Sequence, residues 1–166
     1  QVQGDTLDNA LANRWSATFD LDASAIGMMP QGIHLCLCTP EAPQAALGED
    51  GHPKRDESDQ SFFPPIPLPR RMWAASEIEF LEPIPIGADI ERTSRIVSIA
   101  EKDGKSGKLG FVDVEHETRF DGLSAVRETQ TLVYRDAVAG DAPLSPPEPG
   151  DGIFEPSAWE MHEVLT

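Results

Sequence analysis

The run LGFVDVEHETRFDGLSAVRETQTLVYRD, residues 109–136, decides the fold. In its first half Val112, Val114, His116, Thr118 and Phe120 fall on one side, and Asp113, Glu115, Glu117 and Arg119 on the other. Alternation with a period of two builds a strand with one buried and one solvated face. DGLS, residues 121–124, then supplies a turn. Residues 125–135 follow as a further strand with Val126, Leu132 and Tyr134 on one face. Two such runs on a tight turn make a hairpin.

The same pattern extends upstream. KDGKSGK, residues 102–108, is a glycine-containing connection to residues 89–100, where Ile90, Arg92, Ser94 and Ile96 alternate with Glu91, Thr93, Arg95 and Val97. Residues 72–84 are an earlier strand with Ile78, Phe80 and Ile84 on one face, ended by Pro83 and Pro85 and followed by a turn at Gly87. Long strands on short connections predict an antiparallel meander. Near the N-terminus Leu7, Leu11, Trp15 and Phe19 recur every four residues, which predicts a helix over 6–19 capped by Asp5 or Thr6. Between helix and sheet lie GIHLCLC (32–38), readable as a short buried strand or a helical turn, a polar loop over 41–61, and FFPPIPLP (62–69). Four prolines in eight residues exclude a helix or central strand and favour an extended path. A helix packed on one antiparallel sheet is an α+β layer architecture.

Composition narrows the function. The chain has 166 residues and a net charge of -16, from 29 acidic against 13 basic side chains. Such a surface repels phosphate backbones and anionic membranes, so neither nucleic acid nor membrane is an expected partner. A local basic patch can still hold a small phosphorylated ligand. No stretch is apolar enough for a membrane helix, and no signal peptide is apparent. Cys36 and Cys38 stand too close for a favourable disulfide, and only His34 lies nearby, so neither a disulfide nor a metal site is expected. These features fit a reducing, cytoplasmic setting. Residues 1–140 read as one domain, and the Pro/Gly-rich 141–166 as a linker toward a second domain absent from this chain.

Several segments together resemble the N-terminal half of MaoC-like dehydratases, in the branch of hydroxyacyl-thioester dehydratase type 2 and mesaconyl-C4-CoA hydratase. They are LPRRMWA (68–74), the strand and turn from Glu79 through Gly87 and Asp89, RTSRI (92–96), KSGKLGFV (105–112) and LVYRD (132–136). The resemblance implies a hot-dog fold, in which a long helix is wrapped by a curved antiparallel sheet. It also implies a partner hot-dog domain, and addition or removal of water at the double bond beside an acyl thioester. The thioester is carried by coenzyme A or acyl-carrier protein, and coenzyme A enters only as part of the substrate. No other cofactor is implied. The catalytic His and Asp of the family lie in the second domain, in a motif that no position here matches, so no catalytic residue is assigned. The full protein would be a hydro-lyase and this chain alone inactive.

The residues themselves agree. Hydration of an enoyl thioester needs a base, an acid and positive dipoles at the thioester oxygen. His34, His52, His116 and His162 are the candidate bases, and none stands beside an obvious carboxylate. His116 faces inward with Val112 and Val114. Binding has better candidates. Arg70 and Arg71 follow a stiff Pro-rich segment and precede Trp73, a set that could grip phosphate and stack on adenine. Lys102, Lys105 and Lys108 surround Ser106 and Gly107, a glycine turn that could cradle another phosphate. Two alternatives remain open: a stand-alone thioester-binding or scaffold module, and a thioesterase, since one fold hosts several chemistries. Both leading readings predict a homodimer or pairing with a second hot-dog domain, because a lone sheet leaves edges bare.

Overall fold

The computed structural model describes residues 1–21, 28, 31–48, 51–56, 58, 61–104 and 107–137. Strand β1 (Val2–Thr6) leads into helix α1 (Asn9–Thr18). Two short 3-10 turns, Ile33–Cys36 and Gln44–Ala46, precede β2 (Arg70–Phe80), β3 (Asp89–Gly104), β4 (Gly107–Phe120) and β5 (Leu123–Arg135). The sheet order is β1-β3-β4-β5-β2, with every ladder antiparallel. The α+β architecture is the expected one. The meander is not complete: β3, β4 and β5 follow one another, but β2 lies beyond β5 rather than beside β3. Its exit through 81–88 crosses an end of the sheet, where Leu81 and Glu82 donate to the Ala125 carbonyl and Gly87 to the Leu7 carbonyl.

The β4–β5 hairpin forms as its alternation dictates. Val112 and Val114 are fully buried, while Arg119 on the opposite side is exposed. Asp121 (φ +47°) and Gly122 (φ +78°) form the two-residue turn between the paired Phe120 and Leu123. Positive φ at both central positions is the primed turn that matches strand twist.

The N-terminal helix begins later than its apolar spacing suggested. Residues 2–6 add a strand to β3, so Thr6 is extended, and Asp8 is the cap, accepting from the Leu11 N–H at 2.6 Å. Asp5 instead accepts from the backbone of Thr6 and of Cys38. Val2 is the one large apolar residue in β1, so its pairing with β3 rather than its own pattern makes it a strand.

One face of the sheet is covered in two patches. At one end Leu7, Ile33, Leu37 and Cys38 meet Ile84, Ile90, Ala125 and Val126, with Leu11 and Trp15 of α1 against them. At the other end Phe62, Phe63, Ile66 and Leu68 of the Pro-rich segment lie on Val112, Val114, Leu132 and Tyr134. Gly110 permits this approach: a Cβ there would stand 3.3 Å from Ile66 Cγ2. Arg55 clamps the segment, donating to the Ile66 and Pro69 carbonyls with its guanidinium over the Tyr134 ring. GIHLCLC resolves as a 3-10 turn with His34 buried and Cys36 exposed, and both cysteines are free.

Candidate functional site

Between the two apolar patches the same face turns polar. Three successive rungs cross β3, β4, β5 and β2: Arg92–Thr118–Val126–Phe80, Ser94–His116–Glu128–Ile78, and Ile96–Val114–Gln130–Ser76. Directly opposed residues share a face, so the polar side chains of these rungs converge. The 3-10 turn lays His34 over them. Its Nε2 stands 4.0 Å from Glu128 Oε2, and its ring meets Phe80 edge to face at 5.5 Å. Glu128 is buried and its other oxygen accepts from Ser76 Oγ, which itself accepts from Trp73 Nε1 at 3.0 Å. His116 Nδ1 and Ser94 Oγ lie 2.8 Å apart. Arg92 reaches the carbonyls of Leu37 and Cys38 and the side chain of Gln3, tying the turn and β1 to the sheet.

This arrangement corrects the expectation that no histidine has a carboxylate beside it. Glu128 faces both His34 and His116, and the sequence reading overlooked it. The signal was the alternation itself, because Glu128 shares the parity of Val126 and Leu132. Burial pushes the His34 pKa down, against the pull of Glu128 and with that of Arg92. Burial and Arg92 push His116 down, against Glu128 and a side-chain hydrogen bond to Gln130. Both rings are therefore held neutral. Both ring nitrogens of His34 and Nε of Arg92 are buried without a hydrogen bond among the described residues. Interiors seldom leave such atoms unmatched, since each costs about 1–3 kcal/mol. The His34 and Glu128 side chains are only 4% and 7% exposed, so the pair is enclosed.

The expected binding residues sit elsewhere. Trp73 lies on edge strand β2 and is 54% exposed, on the same side as Leu132, its register partner. Phe80, which meets the His34 ring, and Leu35 are also exposed. Among the described residues Arg71 makes no salt bridge; its guanidinium lies over the Phe63 ring at 5.1 Å. Arg70 is exposed and stands directly opposite Arg135, which in turn opposes Leu109, itself opposite Lys102. Lys108 opposes Asp103, so its charge is matched locally. Lys105, Ser106 and His162 lie outside the described residues, and His52 is exposed. The structure thus gathers at one end of the sheet cations that the sequence scatters over 70–135, and adds Arg135. Among the described residues, no group of three or more His, Cys, Asp or Glu side chains could hold a metal ion. No described helix is long and apolar enough to cross a membrane.

Comparison with known proteins identifies the family and the fold. Residues 32–162 match the profile of the family described as hydroxyacyl-thioester dehydratase type 2. The chain is 39% identical to mesaconyl-C(4)-CoA hydratase of Chloroflexus aurantiacus over 141 residues, which is 83% of this chain and 45% of that protein. The chain therefore spans just under half the length of this relative. Among solved structures, the ChsH1-ChsH2 complex from Mycobacterium tuberculosis superimposes with a TM-score of 0.57 at 10% identity, covering 82% of this chain and 88% of that one. R-hydratase PhaJ1 from Pseudomonas aeruginosa gives 0.52 at 12% identity, covering 87% and 88%. At such low identity these likenesses establish the fold alone, and the fold they share is the hot dog. The chain belongs to the hydroxyacyl-thioester dehydratase type 2 family and carries a hot-dog fold.

Proposed function

We propose that this chain is the substrate-binding, non-catalytic half of an acyl-thioester hydratase/dehydratase. The carrying observation is the 39% identity to a CoA-ester hydratase, confined to 45% of that protein's length. In hydration a hydroxyl joins C3 of the enoyl thioester and a proton joins C2, through a transition state with negative charge on the thioester oxygen. Base and acid must reach the reacting carbons. Here the titratable groups on the inner face are sealed beneath the 3-10 turn or committed to neighbours, which supports a shaping role. The acid and base would come from a second hot-dog domain or a partner copy set against β2. Among the described residues that strand is an unpaired edge bearing exposed Met72, Trp73 and Phe80, the kind of edge and apolar surface that a partner covers. Residues 1–140 would form this half, with 141–166 linking it to the next.

In this reading Trp73 lines the acyl path, and the carrier is held at this end of the sheet by Arg70 from one face and by Arg71 and Lys108 from the other, with Lys105 and Ser106 in the same loop as Lys108. Coenzyme A belongs to the substrate, no further cofactor is needed, and the reaction is placed in the cytoplasm. Loss of the conjugated thioester absorbance of an enoyl-CoA tests the proposal. The chain alone is expected to be inactive, and the chain joined to a hot-dog domain bearing an acid/base pair is expected to turn over. Inactivity of the joined protein would overturn the hydratase reading. A second reading, catalysis within this half, is favoured by the His34–Glu128 approach. Turnover by the chain alone, abolished by Glu128→Gln, would establish it.

A further inference from the structure

The cation rung carries an inference about the carrier, resting on the acyl-thioester reading for its ligand. Lys102, Leu109, Arg135 and Arg70 stand directly opposite one another on four adjacent strands. Direct opposition puts their side chains on one face, and neighbouring strands lie about 4.8 Å apart. Arg70 and Arg135 are immediate neighbours, an arrangement of like charges that destabilises a sheet. None of the three cations makes an ion pair or a hydrogen bond among the described residues; the one contact is Lys102 over the Phe111 ring at 4.8 Å. Arg95, Arg119 and Arg127 all have carboxylate partners, in Glu115, Glu117 and Glu79. Carboxylates are plentiful in a chain of net charge -16, yet this rung has none. Glu101 and Asp103 belong to the flanking rungs, whose side chains leave the opposite face, and Asp136 lies by Gly107.

We propose that Arg70, Arg135 and Lys102 form a polyphosphate-binding strip, and that the carrier is therefore coenzyme A rather than an acyl-carrier protein. The two guanidinium groups present adjacent forks suited to a diphosphate. Lys102, about 14 Å from Arg70 across three strand spacings, reaches a further phosphate. Coenzyme A offers a diphosphate and a separate ribose phosphate. A carrier-protein thioester offers the single phosphate of its prosthetic arm, which leaves most of the strip unmatched.

Calorimetric titration of the whole chain at low salt tests this with coenzyme A, inorganic pyrophosphate and pantetheine. Coenzyme A is expected to bind at least tenfold more tightly than pantetheine, and pyrophosphate to compete with it. Arg135→Gln and Arg70→Gln should each weaken coenzyme A by about tenfold or more and leave pantetheine unchanged. Arg95→Gln, which removes an already paired cation, should change neither. The ligand-free arginine variants should melt no lower than the wild type, because each relieves a repulsion; this separates lost binding from lost folding. Equal affinity for coenzyme A and pantetheine, or wild-type affinity in both arginine variants, would overturn the strip. If pyrophosphate binds and the variants abolish it while coenzyme A fails to compete, the anion strip stands and the thioester reading falls.

Discussion

The buried histidines make a quantitative prediction about acid stability. His34 and His116 are held neutral in the folded chain, their pKa values lowered first by burial and then by Arg92. A histidine in the unfolded chain titrates near 6.5. Below that pH the unfolded state binds protons that the folded state refuses, so stability is complete above about pH 7.5 and is lost as pH falls. Each histidine that stays neutral lowers stability by at most about 1.4 kcal/mol by pH 5.5, one unit below its unfolded value. His34, at 5% exposure, should contribute the larger share. The half-buried His116 should contribute less, because solvent screens it. The pair thus predicts a loss of stability from pH 7.5 to 5.5, bounded above by about 2.8 kcal/mol for two histidines, in a window above the ordinary carboxylate range. Urea unfolding monitored by tryptophan fluorescence across that window measures it. His34→Leu should remove more than half of the slope, and His34→Leu with His116→Gln should flatten it. A wild-type midpoint unchanged between pH 7.5 and 5.5, or an undiminished slope in the double variant, would refute the reasoning.

Three further substitutions test the packing. Asp8→Ala should cost about 1 kcal/mol in chemical unfolding, whereas a cap at Thr6 would leave Asp8→Ala silent. Val114→Ala removes two buried methyl groups at a fully enclosed site and should cost about 2–3 kcal/mol, read as a lower thermal midpoint. Gly110→Val places a Cβ 3.3 Å from Ile66 and should cost about 1–3 kcal/mol. Faster proteolysis of the 62–69 segment would report its displacement.

Sequence legibility followed the source of each element's stability. β3, β4 and β5 carry their own alternation and a turn of the right chemistry, so their positions could be read within a few residues. The Pro-rich segment was legible as extended because proline excludes the alternatives. β1 was not, because Gly4 and Asp5 are poor strand formers and only the β3 edge makes Val2–Thr6 extended. The misplaced helix start followed from that, since Thr6 could not be both strand and cap. The position of β2 beside β5 was hidden for a related reason: nothing in residues 81–88 records which sheet edge the preceding strand occupies.

The site was hidden by the same non-locality. Arg70 and Arg135 are far apart in sequence and become neighbours only through the β2–β5 register. Glu128 could have been found by parity, but its meaning depends on His34, brought in by a separate 3-10 turn, and on His116 one strand away. Both features run against local stability: one opposes like charges, and the other buries titratable groups between apolar patches. A core that substituted Leu for His34 and Glu128 would avoid those desolvation costs. Neither feature is explained by what holds the sheet together, because the patches around Val112 and Ile90 do that without them. Such conflicts between local stability and retained chemistry mark where a fold is serving a ligand. Here they mark two places, an enclosed polar band beside the exposed Trp73 edge and an unmatched basic strip at the end of the sheet. A substrate with a phosphorylated carrier and a reactive acyl group calls for both kinds of surface.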